Sequence, residues 1–210
     1  MNVLSEKFIN FTISNQILKF GEFKTKAGRI SPYFFNMGLV NKGRELKELG
    51  EFYRELIKKN NVKFDLLFGP AYKGISIVSS TAIAFGDNNV NFAFNRKEIK
   101  DHGEGGQIIG HPIQGDVVII DDVISAGTAI RESIDIIKSQ GGNPKAILVA
   151  IDRQEKGHGN ESAIQEVKRE FNIDIFSIIN LDDVIDFIKN NKEFSQFIEK
   201  IENYRKIYGA

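Results

Sequence analysis

The chain of 210 residues is long enough for one domain with a sizeable buried core. Lysine and arginine together number 28, as do aspartate and glutamate, and this zero net charge argues against a dedicated nucleic-acid binder, which usually carries a basic excess. There is no cysteine, which excludes disulfides, thiolate metal sites and a cysteine nucleophile. We see neither the apolar core of a signal peptide nor the ~20 apolar residues of a membrane span, so we expect a cytoplasmic protein that does not contact a membrane.

Short and nearly continuous apolar runs recur along the chain, and this pattern predicts strands that are buried on both faces of a parallel sheet. The predicted strands are 64–68, 91–94, 117–120, 146–151 and 175–179. Segments with apolar residues at helical spacing alternate with them, and the predicted helices are 44–59, 75–85, 129–139 and 161–171. This alternation predicts an α/β fold with a central, mainly parallel sheet flanked by helices.

The predicted organisation is a single domain over residues 1–210, with the core sheet at about 60–180. Residues 1 to about 40 lie outside this core and are expected to form a small hood or cap, to which the predicted helices 182–188 and 193–204 could add. In such sheets, ligands bind outside the carboxyl ends of the strands. The segments to search for a site are therefore 69–73, 95–97, 121–128 and 152–154.

One stretch, VVIIDDVISAGTAIRES at 117–133, joins a predicted strand, two carboxylates, a loop of small residues and a predicted helix. A helix N-terminus offers backbone N–H groups and a partial positive charge, so it binds phosphate. Gly127 lets the backbone approach a ligand closely, and Ser125 and Thr128 add hydroxyl donors. We therefore predict a phosphate site in the loop from Ser125 to Ala129.

Asp121 and Asp122 cannot bind the same phosphate, because like charges repel. They must address another part of the ligand: hydroxyls, a cation, or a carbon that becomes positive during a reaction. A ribose 5-phosphate meets both demands, and Mg²⁺ would also suit two carboxylates with substrate oxygens. In the alternative interpretation, the small residues only cap the helix, although two charges at the end of a buried strand are costly without a partner.

The stretch VVIIDDVISAGTA resembles the phosphoribosyl-diphosphate signature of the type I phosphoribosyltransferases. Four further stretches resemble the orotate phosphoribosyltransferases of that family, in order and across nearly the whole chain. They are KAGRISPYFFNMG (26–38), LLFGPAYKGI (66–75), FNRKEIKDHGEGG (94–106) and AIDRQEKG (150–157). The resemblance is to the bacterial dimeric form, with one departure: Ser125 stands where relatives often carry threonine, and the hydroxyl is kept.

The resemblance implies transfer of the 5-phosphoribosyl group from 5-phosphoribosyl 1-diphosphate (PRPP) to N1 of orotate. The products would be orotidine 5'-monophosphate and pyrophosphate, in pyrimidine synthesis. The transition state would resemble an oxocarbenium ion, so the protein's task would be positioning and stabilisation of the leaving pyrophosphate. The resemblance also implies Mg²⁺ as the cofactor, bound mainly through PRPP with no dedicated protein ligands.

The resemblance assigns roles to individual residues. Those that would be catalytic are Lys100, His102, Asp121 and Asp122. Those that would bind PRPP are Lys26, Tyr72, Lys73, Arg96, Lys97, Lys100, His102, Asp121, Asp122, Val123, Ile124, Ser125, Ala126, Gly127, Thr128 and Ala129. Those that would bind orotate are Phe34, Phe35, Ser125 and Arg153.

The assignments around the base each have a structural alternative. The planar fork of Arg153 suits the carboxylate of orotate, but an arginine there would also suit a salt bridge to Glu155 or another neighbour. Core packing is the alternative for Phe34 and Phe35, or for one of them. An isolated lysine such as Lys26 is ordinarily a solvated surface charge.

The segment 95–110 mixes cations, anions and glycines, a composition that is typical of mobile surface loops. In the family it is a lid that closes over the active site of the partner subunit, so the resemblance implies a homodimer. His102 would act on the pyrophosphate or donate a proton to it. Closure would exclude water, which would otherwise attack the cationic ribosyl centre.

Two rival functions stay open. A regulator that keeps this fold but binds DNA would need a basic face and a DNA-binding module of ~70 residues, for which this neutral chain has no spare length. A phosphoribosyltransferase for a purine base would share the PRPP site. Arg153 and the stretch at 26–38 favour orotate over a purine.

Overall fold

The computed structural model describes residues 1–25, 28–86, 89–100, 106–157 and 159–210, with Ile99 and Lys100 described by their backbone alone. In chain order, the strands are β1 (Leu18–Lys24), β2 (Ile30–Phe35), β3 (Leu66–Gly69), β4 (Phe92–Lys100), β5 (Gly106–Gly110), β6 (Asp116–Val123), β7 (Asn143–Asp152) and β8 (Asp174–Asn180). Six of these described strands form one sheet in the order β5-β4-β3-β6-β7-β8. Because β4 and β5 are antiparallel and the other neighbours are parallel, the predicted α/β class with a mainly parallel sheet is confirmed.

Helices cover both faces of the sheet. They are α1 (Val3–Ser14), α2 (Gly43–Lys59), α3 (Lys73–Ala84), α4 (Thr128–Ser139), α5 (Ala163–Phe171), α6 (Leu181–Lys189) and α7 (Ile198–Tyr208), with short 3₁₀ helices at Met37–Leu39 and Ser195–Phe197. Val117 and Ile119 pack with α4 and α5 on one face, whereas Val118 and Ile120 pack with α1, α2 and α3 on the other. Alternate side chains of a strand point to opposite faces, so this strand must be apolar throughout. Among the described residues, no helix is long and apolar enough to cross a membrane.

The N-terminal region and the C-terminal helices pack on the face that carries α2. β1 and β2 form an antiparallel hairpin. Phe8 of α1 and Tyr33 of β2 belong to the same hydrophobic cluster as Leu148 of β7 and Ile201 of α7. The hydroxyl of Tyr33 also donates to Oε1 of Glu155, which follows the carboxyl end of β7. The hood function of residues 1–40 stays a prediction.

Residues 95–110 are not a loop throughout, which corrects the sequence-based interpretation of this segment. β4 continues to Lys100, and β5 pairs with it from Gly106, with Phe94 opposite Ile109 and Asn95 opposite Ile108. β5 is an edge strand, and edges tolerate the charges and glycines that suggested a loop. Residues 101–105 lie outside the described residues, so a lid that closes stays a prediction.

Candidate active site

Two buried aspartates lie near the carboxyl end of β6. Asp121 is 9% exposed and Asp122 is 8% exposed. The backbone N–H of Asp122 donates to Oδ1 of Asp121 at 2.8 Å, and that of Val123 donates to Oδ1 of Asp122 at 3.0 Å. The hydroxyl of Tyr53 on α2 donates to the backbone carbonyl of Asp121 at 2.7 Å. These bonds hold the aspartate pair in one position near the carboxyl end of β6.

Lys73, the first residue of α3, partly neutralises the aspartate pair. Its Nζ lies 2.6 Å from Oδ2 of Asp122. The sequence placed no partner beside the aspartates and predicted Lys73 only as a ligand of PRPP, so this ion pair is an addition to that prediction. One ammonium group faces two carboxylates, which leaves the charge of Asp121 without a matching cation in this pair.

Burial, and then the charge of Asp122, raises the pKa of Asp121 to about 7, although the backbone N–H of Asp122 and the charge of Lys73 act in the opposite direction. An aspartate in an unfolded chain titrates near pH ~3.9. The folded protein therefore binds more protons than the unfolded chain between about pH 4 and pH 7, and its stability falls as the pH rises through that window. A carboxylate that opposes folding at a cavity is typical of a functional site.

Asp121→Asn should raise the free energy of unfolding of the ligand-free protein at about pH 8 by on the order of 2 kcal/mol. The amide keeps an acceptor oxygen for the N–H of Asp122 and removes the buried charge. The difference from the wild type should shrink as the pH falls from about 7 toward about 4, where wild-type Asp121 is protonated. Urea unfolding curves at several pH values measure it, and a pH-independent difference would contradict the raised pKa.

The predicted phosphate loop connects β6 to α4. Ser125 and Thr128 are exposed, whereas Gly127 is buried. Gly127 has a φ of 74°, and a Cβ there would lie 2.6 Å from Nη1 of Arg131, so glycine suits this position. Within the described residues, no side chain caps α4. The alternative interpretation, in which a hydroxyl caps this helix, is therefore not supported, and the N–H groups of the first turn remain for a ligand.

Arg131 braces this loop from the first turn of α4. Its Nη1 donates to the carbonyl of Ala126 at 2.8 Å. Its Nε and Nη2 lie 2.8 and 2.7 Å from Oε2 of Glu170 on α5. The arginine thus connects the loop to the next helix, and its guanidinium places a permanent positive charge beside the predicted phosphate site.

In the part of the chain that the structure describes, two adjoining cavities lie at the carboxyl ends of the strands. The larger has a volume of about 440 Å³ and is lined by Ala71, Tyr72, Lys73 and residues 121–130. The smaller has a volume of about 320 Å³ and is lined by Ala71, Tyr72, Ile75, Phe94, Asn95, Arg96, Lys97, Glu98 and Ile109. The larger cavity spans the ends of β3 and β6, from which the chain continues in opposite directions along the sheet. Sheets of this kind bind ligands at such a switch point.

The sequence matches known proteins over its full length. A family model described as phosphoribosyl transferase domain matches residues 39–185. Orotate phosphoribosyltransferase of Marinobacter nauticus is 54% identical over 212 residues, with 100% of both chains covered, and that of Thiobacillus denitrificans is 49% identical over 206 residues, with 97% of both covered. The chain belongs to the orotate phosphoribosyltransferase family. The crystal structure of orotate phosphoribosyltransferase from Francisella tularensis has a TM-score of 0.87 at 41% identity and covers 97% of this chain and 100% of its own, which confirms the predicted type I fold.

The structure brings together those predicted PRPP-binding residues whose side chains it describes. Tyr72, Lys73 and residues 121–129 line the larger cavity, and Arg96 and Lys97 line the smaller one. Arg96 also donates from Nη1 to the carbonyl of Gly106 at 3.3 Å, which connects β4 to β5. The larger cavity therefore holds the carboxylate acceptors of the aspartate pair and the backbone N–H donors of the first turn of α4, and the smaller cavity holds the cations Arg96 and Lys97.

Three of the predicted site residues cannot be placed. Lys26 and His102 lie outside the described residues, and so does the side chain of Lys100. Their assignment to PRPP, and the catalytic role of Lys100 and His102, therefore stay predictions for this member of the orotate phosphoribosyltransferases.

The residues predicted to bind orotate divide into different environments. Phe34 is 39% exposed and stacks on Phe23 with ring centroids 5.4 Å apart, whereas Phe35 is 7% exposed and packs in the core. Core packing is thus the interpretation that fits Phe35. Arg153 forms the salt bridge to Glu155 that the sequence left open. Ser125 lines the larger cavity, but among the described residues Phe34, Phe35 and Arg153 line neither cavity, so base binding by these three stays a prediction.

Sequence reasoning gave no role to several residues that support the site. Asn95 is buried, and its Oδ1 accepts a hydrogen bond from the backbone N–H of Ala71 at 2.9 Å, so β4 holds the loop that follows β3. Arg131 could have been found, because it lies one helical turn after Gly127 and a cation there faces the same loop. Nothing local in the sequence connects Asn95 with a residue of the loop that follows β3.

Proposed function

We propose that this protein transfers the 5-phosphoribosyl group from PRPP to N1 of orotate, with release of pyrophosphate and formation of orotidine 5'-monophosphate. The observation that carries the proposal is a buried aspartate pair in the same 440 Å³ cavity as a helix N-terminus without a side-chain cap among the described residues. This cavity offers donors to a phosphate and acceptors to sugar hydroxyls. A ribosyl 5-phosphate needs both.

In the proposed reaction, the first turn of α4 binds the 5-phosphate, while Asp121 and Asp122 accept hydrogen bonds from the ribose hydroxyls. The bond from C1 to pyrophosphate breaks, its electron pair leaves with pyrophosphate, and positive charge develops at C1. The carboxylate charge that Lys73 does not neutralise stabilises this positive charge. Arg96 and Lys97 bind the leaving pyrophosphate in the adjoining cavity. N1 of orotate gives up its proton, to the leaving pyrophosphate or to water, and its electron pair forms the new bond to C1.

We propose that Mg²⁺ enters with PRPP and is held mainly by PRPP oxygens. Among the described residues, no group of three or more histidine, aspartate or glutamate side chains is placed to hold a metal ion. Mg²⁺ commonly binds through one or two carboxylates and substrate phosphates, and the aspartate pair has one carboxylate engaged by Lys73. The ion would neutralise charge on the pyrophosphate oxygens.

We further propose a cytoplasmic homodimer in which each 96–106 segment acts as a lid on the partner's site, and residues 1–40 act as a hood. Arg96 and Lys97 lie at the smaller cavity, and β4 and β5 lead from there toward residues 101–105. Residues of both flanking strands thus line this cavity, which is where a closing lid would act. The hairpin β1–β2 carries the exposed Phe34.

Arg131→Ala should raise the KM for PRPP about tenfold and change the KM for orotate less than about twofold. The reason is the loss of one charge-assisted hydrogen bond, worth roughly 1.5–3 kcal/mol, that holds the phosphate loop. Steady-state kinetics with each substrate varied in turn measures this. Glu170→Gln is the matched control, because it keeps Arg131 and its bond to Ala126 and should have a smaller effect. Equal changes in both KM values would mean that Arg131 does not act through the phosphate loop.

Arg153→Ala should raise the KM for orotate more than that for PRPP, because the guanidinium is expected to bind the carboxylate of the base. The loss of a bidentate, charge-assisted contact should cost on the order of 2–3 kcal/mol, or roughly 30- to 150-fold in KM. Steady-state kinetics with orotate and PRPP varied in turn measures both KM values. Equal effects on both substrates would assign Arg153 a structural role.

The activity itself is tested by incubating the protein with PRPP, Mg²⁺ and one base at a time: orotate, uracil, adenine or hypoxanthine. We expect orotate alone to be consumed, seen as loss of its absorbance and gain of pyrophosphate. Consumption of a purine without orotate would replace the proposal by a purine phosphoribosyltransferase. Binding of DNA with no consumption of any base would favour a regulator.

A further inference from the structure

Arg153 is held by one edge of its guanidinium. It follows β7 at the carboxyl end of the sheet, and its Nε and Nη2 donate to the same oxygen, Oε1 of Glu155, at 3.0 and 2.6 Å. Both side chains are largely buried, at 19% and 20% exposure. A buried pair with two hydrogen bonds has a defined orientation, unlike a surface ion pair.

Two further residues of the hood region contact this pair. The ring of Tyr33 lies under the guanidinium of Arg153 with 4.9 Å from Cζ to the ring centroid, and its hydroxyl donates to Oε1 of Glu155 at 3.2 Å. Burial raises the pKa of Tyr33, so this hydroxyl stays protonated and remains a donor. Nη1 of Arg29 lies 4.0 Å from Oε2 of Glu155, and the guanidinium of Arg29 stacks on the ring of Tyr208.

The backbone around Glu155 is fixed from the C-terminal side of the chain. The N–H of Lys156 donates to the carbonyl of Tyr208 at 2.8 Å, and the N–H of Ala210 donates to the carbonyl of Gln154 at 3.0 Å. Gln154 exchanges two hydrogen bonds with Asp182 through its side-chain amide, at 2.9 and 3.1 Å. The position of Glu155 is therefore set by α6 and α7 together with β2.

In the part of the chain that the structure describes, Glu155 engages only one edge of the Arg153 guanidinium, which leaves the other edge for a ligand. A guanidinium has five N–H donors, and Glu155 takes the one on Nε and one on Nη2. The outer edge, with both hydrogens of Nη1 and the second of Nη2, is the fork that binds a carboxylate in a bidentate manner. The charges also match an anion, because two guanidinium groups, Arg29 and Arg153, face one carboxylate, which leaves one positive charge among these three side chains.

We propose that Glu155 is a positioning residue for base recognition, which fixes the outer edge of Arg153 toward the carboxylate of a planar anionic base and acts only through Arg153. This inference rests on the proposed function. It is supported by where these side chains lie relative to residues 39–185, which match the phosphoribosyl transferase domain. Arg153 and Glu155 lie within the matched range 39–185, whereas Arg29, Tyr33 and Tyr208 lie outside it. The partners that complete the cluster thus come from the parts of the chain beyond the general phosphoribosyltransferase domain.

The test is a double-mutant cycle with Glu155→Ala, Arg153→Ala and the double variant, in which the KM for orotate and the KM for PRPP are both measured. We expect Glu155→Ala to raise the KM for orotate about tenfold and that for PRPP less than about twofold. In the Arg153→Ala background, the same substitution should add less than about twofold. Additive effects in the cycle, or equal effects on both substrates, would overturn the proposal.

Two further variants guard against misfolding and general charge effects. Glu155→Gln keeps the volume and an acceptor oxygen, so it should fold and raise the KM for orotate by less than Glu155→Ala. Glu161→Ala is the matched control, because it removes a glutamate whose ion pair with Arg169 is exposed, and it should change neither KM. A Glu155→Gln variant with unchanged kinetics, together with a Glu155→Ala variant that unfolds, would overturn the positioning role and leave a structural one.

Calorimetric binding of orotate to each variant separates this proposal from the proposed function. If the wild type binds orotate but does not transfer the phosphoribosyl group to it, the proposed function fails, and the cycle measured on dissociation constants still decides the role of Glu155. We expect Glu155→Ala to weaken orotate binding only when Arg153 is present. If the wild type turns over orotate, but Glu155→Ala weakens orotate binding equally with Arg153 and with Arg153→Ala, the positioning role alone is overturned. A wild type that neither binds nor consumes orotate would overturn both.

Discussion

Asp121→Asn and Asp122→Asn should each lower kcat/KM for PRPP by about 100- to 1000-fold while the protein keeps its fold. Each substitution removes a negative charge from the position where we expect positive charge to develop on the ribose. Steady-state kinetics with saturating orotate measures the effect. For Asp121→Asn, the expected gain in stability separates the loss of activity from any loss of fold.

Asp116→Asn is the control for these two variants. Asp116 begins β6 at the opposite end of the strand, where it accepts a hydrogen bond from Asn143 and lies near Lys145. Its substitution should change kcat/KM less than about twofold. Unchanged kcat/KM in both Asp121→Asn and Asp122→Asn would remove the ribose-facing role that we assign to the aspartate pair.

Lys100→Ala and Asp122→Asn, each nearly inactive alone, should restore activity when they are mixed under conditions that exchange subunits. If the lid serves the partner's site, a mixed dimer has one site with an intact lid and an intact aspartate pair, and one site with both defects. Random pairing makes about half of the dimers mixed, so an equimolar mixture should recover up to about a quarter of wild-type activity. The assay is the rate of orotate consumption as a function of mixing ratio.

The control for this experiment is the mass of the exchanged species, with one variant carrying a tag that shifts its mass. Mixed dimers without any recovered activity would show that the lid acts on its own chain. A mass that corresponds to a monomer would contradict the proposed homodimer directly. In either case the chemistry assigned to the larger cavity would be unaffected.

The strands at the centre of the sheet could be predicted from the sequence because both of their faces are buried. The apolar run 117–120 lies inside β6, and the run 146–151 lies inside β7, with the observed strands extending by a few residues. β6 continues through Asp121 and Asp122, which looked like the end of a strand. A backbone N–H group contacts each carboxylate, and Lys73, which comes from α3, contacts that of Asp122.

The edge of the sheet was harder to predict. The first part of β4 was predicted as the strand 91–94. Its continuation carries Arg96, Lys97 and Glu98, and β5 has glycine at both ends, so neither segment shows the continuous apolar run of a central strand. An edge strand has only one hydrogen-bonded neighbour, and charges there discourage pairing with other molecules. The composition of an edge strand therefore resembles that of a loop.

The aspartate pair and the phosphate loop could be predicted from the sequence, whereas the surroundings of Arg153 could not. The aspartate pair and the phosphate loop are contiguous in sequence, so a single stretch carries their chemistry. The environment of Arg153 depends on Tyr33 and Tyr208, which are far from it in the chain and come from β2 and α7. Only Glu155, two residues away, could be named as a partner from the sequence.

The most direct test of the central claim is a crystal structure of the protein with PRPP and Mg²⁺ bound. The claim is that the aspartate pair and the phosphate loop together hold the ribosyl 5-phosphate. We expect the 5-phosphate on the backbone N–H groups of the first turn of α4, and the 2- and 3-hydroxyls within hydrogen-bond distance of Asp121 and Asp122. The pyrophosphate should extend into the cavity lined by Arg96 and Lys97. PRPP bound with its pyrophosphate in the loop of Ser125 to Ala129, or bound away from the aspartate pair, would contradict the claim.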